Sequence, residues 1–221
     1  MNDADLPVRS VLLDIDGTLL DTRRYILAAF AHAASRHGLT LPSEAVMTGN
    51  IGRPLDRIYL ELGARSSAIS EIIETHRAFQ EEHLDMVTAF QGANDALDAL
   101  RANGLSLAAV TSRSRRTSTA SLACAGIAHH FAVVISAEDA SALKPDPAPL
   151  RAALAVLGQP PEAAVMVGDT VHDIEAGQAL AMRTIGVRYG FGGAVMVAAQ
   201  PTATISNLGQ LPGAVAELGS G

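Results

Sequence analysis

The chain has 221 residues, 48% of them hydrophobic, a formal net charge of −7 and one cysteine. That length suits one large domain or a domain carrying an insert, with ample material for a core. The acidic balance argues against a nucleic-acid or anionic-membrane surface, no run of about 18 apolar residues offers a membrane span, and lone Cys124 rules out an intramolecular disulfide and reads as a small buried hydrophobe.

Along the chain, the acidic start MNDADLPVRS lacks the basic-then-apolar form of a signal peptide, so a cytoplasmic protein is expected. SVLLDID (10–16) is the first strand-length apolar run. The span 21–90 offers no convincing strand. It reads as helices over RRYILAAFAHAASRHG, PLDRIYLELG and SSAISEIIETHRAFQEEHL, a small helical insert seated on a core made of 1–20 and 91–221. Between two of these helices, the loop TGNIGRPL carries Arg53, a candidate grip for a substrate carboxylate or second phosphate.

From residue 92 helix and strand patterns alternate. GANDALDALRANG is followed by LSLAAVTS (105–112), SRRTSTASLACAG by FAVVISA (131–137), and APLRAALAVLG by AAVMVGD (163–169). HDIEAGQALA then precedes RTIGVRY (183–189), with TATISN (202–207) as an edge strand. The basic run RSRR (113–116) opens a helix and reads as a solvated face; YGFGG (189–193) reads as a connecting loop. Runs that are apolar almost throughout fit strands covered on both faces. Their alternation with helices predicts right-handed crossovers and a doubly wound, Rossmann-like parallel α/β sheet.

Three strands end in polar residues: Asp14-Ile15-Asp16-Gly17-Thr18, Thr111-Ser112, and Gly168-Asp169 with Asp173 soon after. Lys144, the one lysine among 16 Lys and Arg, follows the strand over 131–137. In an open α/β sheet, ligands bind outside the carboxyl ends of the strands, so these groups converge. Asp14, Asp16, Asp169 and Asp173 crowded together need neutralising, and a hard cation such as Mg²⁺ does this with oxygen ligands. Lys144 adds a compact positive charge, Thr111 and Ser112 add hydroxyls, and Gly17 lets backbone amides approach an anion. The inventory describes a phosphoryl site.

LLDIDGTLLD resembles the DxDGT motif of the haloacid dehalogenase superfamily. AVTS is similar to its second motif, LKPDPAP to its lysine-bearing third, and VGDTVHDIEAG to its GDxxxD fourth. All four occur in order. The helical span between the first two resembles the cap of the branch that includes phosphoglycolate phosphatases. Ser112 departs from the asparagine common at its place.

The resemblance implies that Asp14 is the nucleophile and Asp16 the general acid and base. Asp14, the Asp16 backbone carbonyl and Asp169 would hold Mg²⁺, and Thr111 and Lys144 would bind the transferring phosphoryl group. Asp173 would support the metal's waters or fix Lys144. The substrate would be a small phosphorylated metabolite. Two rivals in the superfamily are disfavoured by composition. Its dehalogenases lack the second aspartate of DxD, and its phosphonate hydrolases need a cap lysine that residues 22–90 do not contain. A phosphosugar mutase and a non-catalytic phosphometabolite-binding protein remain as alternatives. The motifs leave open the substrate, the oligomeric state, and whether Arg53 or His172 touches substrate.

Overall fold

A computed structural model describes residues 7–219; the expectation placed on the first six lies outside it. Strand β1 (Ser10–Leu13) leads through a tight loop to β2 (Leu20–Asp21). Helices α1 (Arg23–Arg36), α2 (Glu44–Thr48), α3 (Leu55–Glu61) and α4 (Ile69–Glu82) follow, and β3 (Thr88–Ala89) closes the span. The chain then alternates through α5 (Ala93–Ala102), β4 (Ser106–Val110), α6 (Arg115–Cys124), β5 (Val133–Ile135), α7 (Ala148–Leu157), β6 (Ala164–Gly168), α8 (Val171–Gln178), β7 (Arg183–Val187), α9 (Gly193–Ala198), β8 (Ala203–Ile205) and α10 (Leu211–Gly219).

Six strands form one parallel sheet in the order β5-β4-β1-β6-β7-β8, the doubly wound arrangement the alternation predicts. The reason is visible in the two faces. Val11, Leu13, Leu107, Ala109, Val165 and Val167 point into one buried cluster. Leu12, Ala108, Val110, Ala164 and Met166 point into the other, against Leu150, Ala153 and Leu154 of α7 and Ala176 of α8. Side chains alternate across a strand, so a run apolar at every position needs cover on both sides. Each fully buried Val, Leu or Met contributes roughly 1.5–3 kcal/mol.

β1, β4 and β5 are laid down in one direction across the sheet, and β6 returns to the far side of β1. That reversal opens a crevice at the carboxyl end of β1.

Four expectations are corrected. First, the span expected to lack strands has Thr88–Ala89 paired antiparallel with Leu20–Asp21 at its root. Two residues are too few to show a period. Second, Cys124 is exposed, on the last turn of α6, with its thiol donating to the Leu84 carbonyl at 3.4 Å. The buried face of α6 is Thr117, Ser118, Ser121 and Leu122, which leaves Cys124 outside it. Third, RSRR divides. Arg115 and Arg116 are exposed and pair with acids, whereas Arg113 precedes the N-cap Ser114 and turns inward with 12% of its side chain exposed. Fourth, α8 stops at Gln178, short of the Ala181 predicted to lie in it, because Ala181 takes a positive φ of 54°.

Candidate active site

The sheet register brings the strand ends level. Leu13 pairs with both Ala109 and Val167, so Asp14, Thr111 and Asp169 leave the sheet at neighbouring points. The Asp14 amide still donates to the Val167 carbonyl at 2.9 Å, and the Thr111 amide to Ile135 at 2.9 Å. These bonds extend the ladder one step and anchor both side chains.

The chain then turns sharply at Gly17, whose φ is +82°. A Cβ there would be strained and would overlap the Asp169 carboxylate. The Gly17 amide donates to the Leu20 carbonyl at 2.9 Å. It therefore serves the turn rather than an anion, and the glycine's contribution is close approach to Asp169.

Lys144 sits at the centre with 3% of its side chain exposed. Its Nζ donates to Asp14 Oδ1 at 2.6 Å and to the Val110 carbonyl at 2.8 Å, and lies 2.6 Å from Asp173 Oδ1. Asp173 is positioned by a capping box at the start of α8. Its Oδ2 accepts from the Thr170 amide at 3.0 Å and hydroxyl at 2.6 Å, which turns Oδ1 toward the lysine. Asp173 Oδ1 thus lies against the Lys144 ammonium. Asp169 is fully buried and accepts from the Phe191 amide at 2.6 Å and the Thr18 hydroxyl at 3.3 Å.

One oxygen from each of Asp14, Asp169 and Asp173 lies within 4.8 Å of the others. Burial pushes the Asp14 carboxyl well above the carboxylate range; Lys144 opposes this, while Asp173 and Asp169 add to it. Burial, with help from Asp173, pushes Asp169 up to about 7. For Lys144, burial alone would lower the pKa, but Asp14 and Asp173 overcome it and raise the value, keeping the amine charged. With all three ionised, one ammonium would leave two negative charges uncompensated. The donors are all oxygen, with neither sulfur nor imidazole among them, so the set fits one hard divalent cation.

Asp16 stands apart from this cluster. Its Oδ1 accepts from Arg113 Nη1 at 3.0 Å and from the Thr22 hydroxyl at 2.7 Å. Sequence reasoning missed Arg113. Nothing in RSRR distinguishes one arginine from the next except its place just before a helix cap.

A cavity of about 260 Å³ opens above these groups, lined by Asp14, Asp16, Thr111 and Lys144 from the sheet side and by Phe30, Ile58 and Ile73 from the helical span. Ser112 and His172 border it too. So does Arg53, but its guanidinium is engaged by Glu61 at 2.5 Å and by Asn50. Arg77 of α4 was not anticipated. Of the four basic side chains of Lys and Arg on this cavity, it alone makes no ion pair among the described residues. A free cation facing a cavity has no signature in a one-dimensional helical pattern.

Comparison with known proteins bears on the family and the fold. The model of the haloacid dehalogenase-like hydrolases matches residues 11–187. The protein named pyrophosphatase PpaX of Bacillus velezensis is 35% identical over 196 residues, covering 88% of this chain and 90% of its own. A haloacid dehalogenase-like family hydrolase of Streptococcus pneumoniae superposes with a TM-score of 0.82 at 22% identity, covering 97% of this chain and 99% of that one. The β-phosphoglucomutase of Clostridium difficile gives a TM-score of 0.80 at 18% identity over 92% of this chain and 93% of its own. The likenesses to those two structures show the fold alone. With the four motifs gathered on one sheet edge and the family match spanning most of the chain, the protein belongs to the haloacid dehalogenase-like hydrolases, on the phosphatase side of that family.

Proposed function

We propose that this phosphatase is Mg²⁺-dependent and hydrolyses a small phosphomonoester through an aspartyl-phosphate on Asp14. The observation that carries the reading is the Lys144 ammonium bonded to Asp14 beside Asp169, beneath a cavity sized for a small ligand. Asp14, the Asp16 backbone carbonyl and Asp169 would hold Mg²⁺. When bound, the ion supplies positive charge to the phosphoryl oxygens and to the crowded carboxylates.

The chain's own groups do the rest. Asp14 attacks phosphorus as the bond to the leaving oxygen breaks, and Asp16 hands that oxygen a proton. Asp16 then takes a proton from the water that attacks the aspartyl-phosphate, which frees phosphate and restores Asp14. Lys144 and the Thr111 hydroxyl hold the equatorial oxygens, where charge spreads in the transition state. Ser112 contributes a hydroxyl that makes no side-chain hydrogen bond among the described residues. Residues 21–90 act as a cap that closes over the substrate and excludes water.

On the cap side, Arg77 suits a second anionic group, as in a phosphoglycolate-like ester or pyrophosphate. Hydrolysis is favoured over transfer to a second sugar hydroxyl because the family is one of hydrolases and the similar curated relatives carry phosphatase names. The test is turnover of 4-nitrophenyl phosphate by the full chain with Mg²⁺ and after chelation. Metal-dependent release of phosphate is expected. Folded protein that releases none with Mg²⁺ present would make the chain a binding module.

A further inference from the structure

We infer that Arg113 is the positioning residue of the general acid, fixing one oxygen of Asp16 so that the other meets the leaving group. The inference rests on the phosphatase reading above. Both bonds to Asp16, from Arg113 Nη1 at 3.0 Å and from Thr22 at 2.7 Å, fall on Oδ1. No hydrogen bond reaches Oδ2 among the described residues, and Asp16 lines the cavity. The side chains of the pair are 12% and 9% exposed, so water competes little for either partner.

The arginine is itself held from three sides. Its Nη2 donates to the Thr117 carbonyl at 3.1 Å, the Ser121 hydroxyl at 3.0 Å and the Tyr25 hydroxyl at 3.3 Å. Its guanidinium also lies over the Tyr25 ring, 5.2 Å from the centroid. Tyr25 in turn donates to the Gln80 carbonyl at 2.7 Å. A planar fork anchored in this way presents Nη1 to Asp16 in one geometry, which a single ammonium on a flexible stem cannot reproduce. The same path joins the acid to α1 and α4, the helices that roof the cavity.

The chemistry gains twice. In the first step the bond from phosphorus to the leaving oxygen breaks while the Asp14–phosphorus bond forms, and the proton on Asp16 Oδ2 moves to the departing oxygen. Asp16 thereby becomes a carboxylate, and Arg113 is already in place to meet that charge. Orientation is the second gain, since an acid rotated away from the leaving oxygen delivers nothing.

A buried arginine that merely needs a counterion would show the same contacts. Leaving-group dependence separates the two roles. A 4-nitrophenolate departs without a proton, whereas an alkoxide needs one. The experiment measures kcat/KM with Mg²⁺ for 4-nitrophenyl, phenyl and ethyl phosphate in the wild type, Asp16→Asn, Arg113→Met and Arg113→Lys. Arg113→Met is expected to lose at least about tenfold more on ethyl than on 4-nitrophenyl phosphate, as befits loss of general-acid help. Arg113→Lys should recover part of that ratio. A loosened or partly unfolded enzyme loses the same factor on every ester, so the ratio stays put.

Parallel losses across the series in both Arg113 variants, with Asp16→Asn still selective against ethyl phosphate, overturn the role of Arg113. Parallel losses in Asp16→Asn as well overturn the acid assignment itself. If Arg113→Met fails to fold, the ratio for Arg113→Lys decides, because its ammonium cannot serve Asp16, Tyr25 and Ser121 together.

Discussion

At the scale of single residues, the site is a contest between crowding and attachment. Asp14 has Lys144 at 2.6 Å yet is still pushed toward its neutral form, because burial and three further carboxylates act against one amine. Asp14→Asn keeps the shape and removes one charge from that crowd. The variant should stay folded, with a melting temperature within a few degrees of the wild type, while turnover of 4-nitrophenyl phosphate falls at least about a hundredfold for want of a nucleophile. Melting and phosphate release on the same sample check it; activity above a few per cent would remove Asp14 as nucleophile. Lys144→Arg preserves charge but asks a wide planar fork to occupy a slot that encloses all but 3% of the side chain. A loss of about a hundredfold or more in kcat/KM is expected, the scale of removing one preorganised donor. Near-normal rates would show that charge alone is enough. Asp14 was legible in the sequence because it lies at the end of an apolar run, and the sheet gathers such ends; Lys144 stood out as the one lysine of the chain, in the loop after the run at 131–137. Arg113 and Arg77 were not legible, nor was the pairing of Arg53 with Glu61. Whether an arginine turns into a site, onto Glu61 or toward an open cavity depends on neighbours distant in the chain, which no local pattern records.

At the scale of elements, the sheet could be read because a strand covered on both faces is apolar at nearly every position. The paired strands Leu20–Asp21 and Thr88–Ala89 could not, since a two-residue ladder has no period. Helix α4 shows how much one amphipathic element can carry unseen. On its cavity side it places Arg77, and Arg77→Ala should raise KM about tenfold or more for substrates with a second anionic group, the worth of one charge-assisted hydrogen bond. The effect on 4-nitrophenyl phosphate should be much smaller, and Arg53→Ala should show the weaker discrimination because Glu61 already engages that guanidinium. Steady-state kinetics with both substrate types settle it; equal KM changes on both would exclude recognition by Arg77.

One position earlier, α4 buries His76, whose Nδ1 meets the Tyr59 hydroxyl at 2.8 Å. Burial lowers its pKa from 6.5 to about 3, so the ring is neutral in the fold and shares its hydrogen bond with a neutral Tyr59 hydroxyl. The unfolded chain therefore binds a proton that the folded chain refuses between those two values. Stability from this residue is present above about pH 6.5 and drains away as pH falls toward 3, by up to a few kcal/mol. His76→Asn, which keeps an acceptor but does not titrate, should flatten that loss in urea unfolding at pH 7, 5.5 and 4.5. An unchanged acid slope would mean that His76 is already protonated in the folded protein.

At the scale of the whole molecule, two buried groups pull stability in opposite directions across one pH window. Asp169 is the converse of His76: its folded pKa of about 7 lies above the ordinary 3.8, so the folded chain holds a proton that the unfolded chain releases. Its contribution is full below about pH 4 and is lost as pH rises through 7. The two slopes partly cancel in the metal-free protein, and a pH–stability curve of the wild type alone would hide both. Mg²⁺ separates them, since the cation competes with protons at Asp14 and Asp169 and has no business with His76, among the helices of the roof. An ion that binds only the folded state stabilises it, and does so more where no proton need be displaced. The rise in melting temperature on adding Mg²⁺ should therefore be larger at pH 8 than at pH 5, in both the wild type and His76→Asn. Without metal, His76→Asn should become more stable as pH falls from 7 toward 4, the slope that Asp169 imposes, with Asp14 acting in the same direction, once their opponent is gone. A Mg²⁺ shift of equal size at both pH values would mean that the Asp14 and Asp169 carboxylates are not what holds the ion, and the phosphoryl site would lose the charge balance on which its chemistry depends.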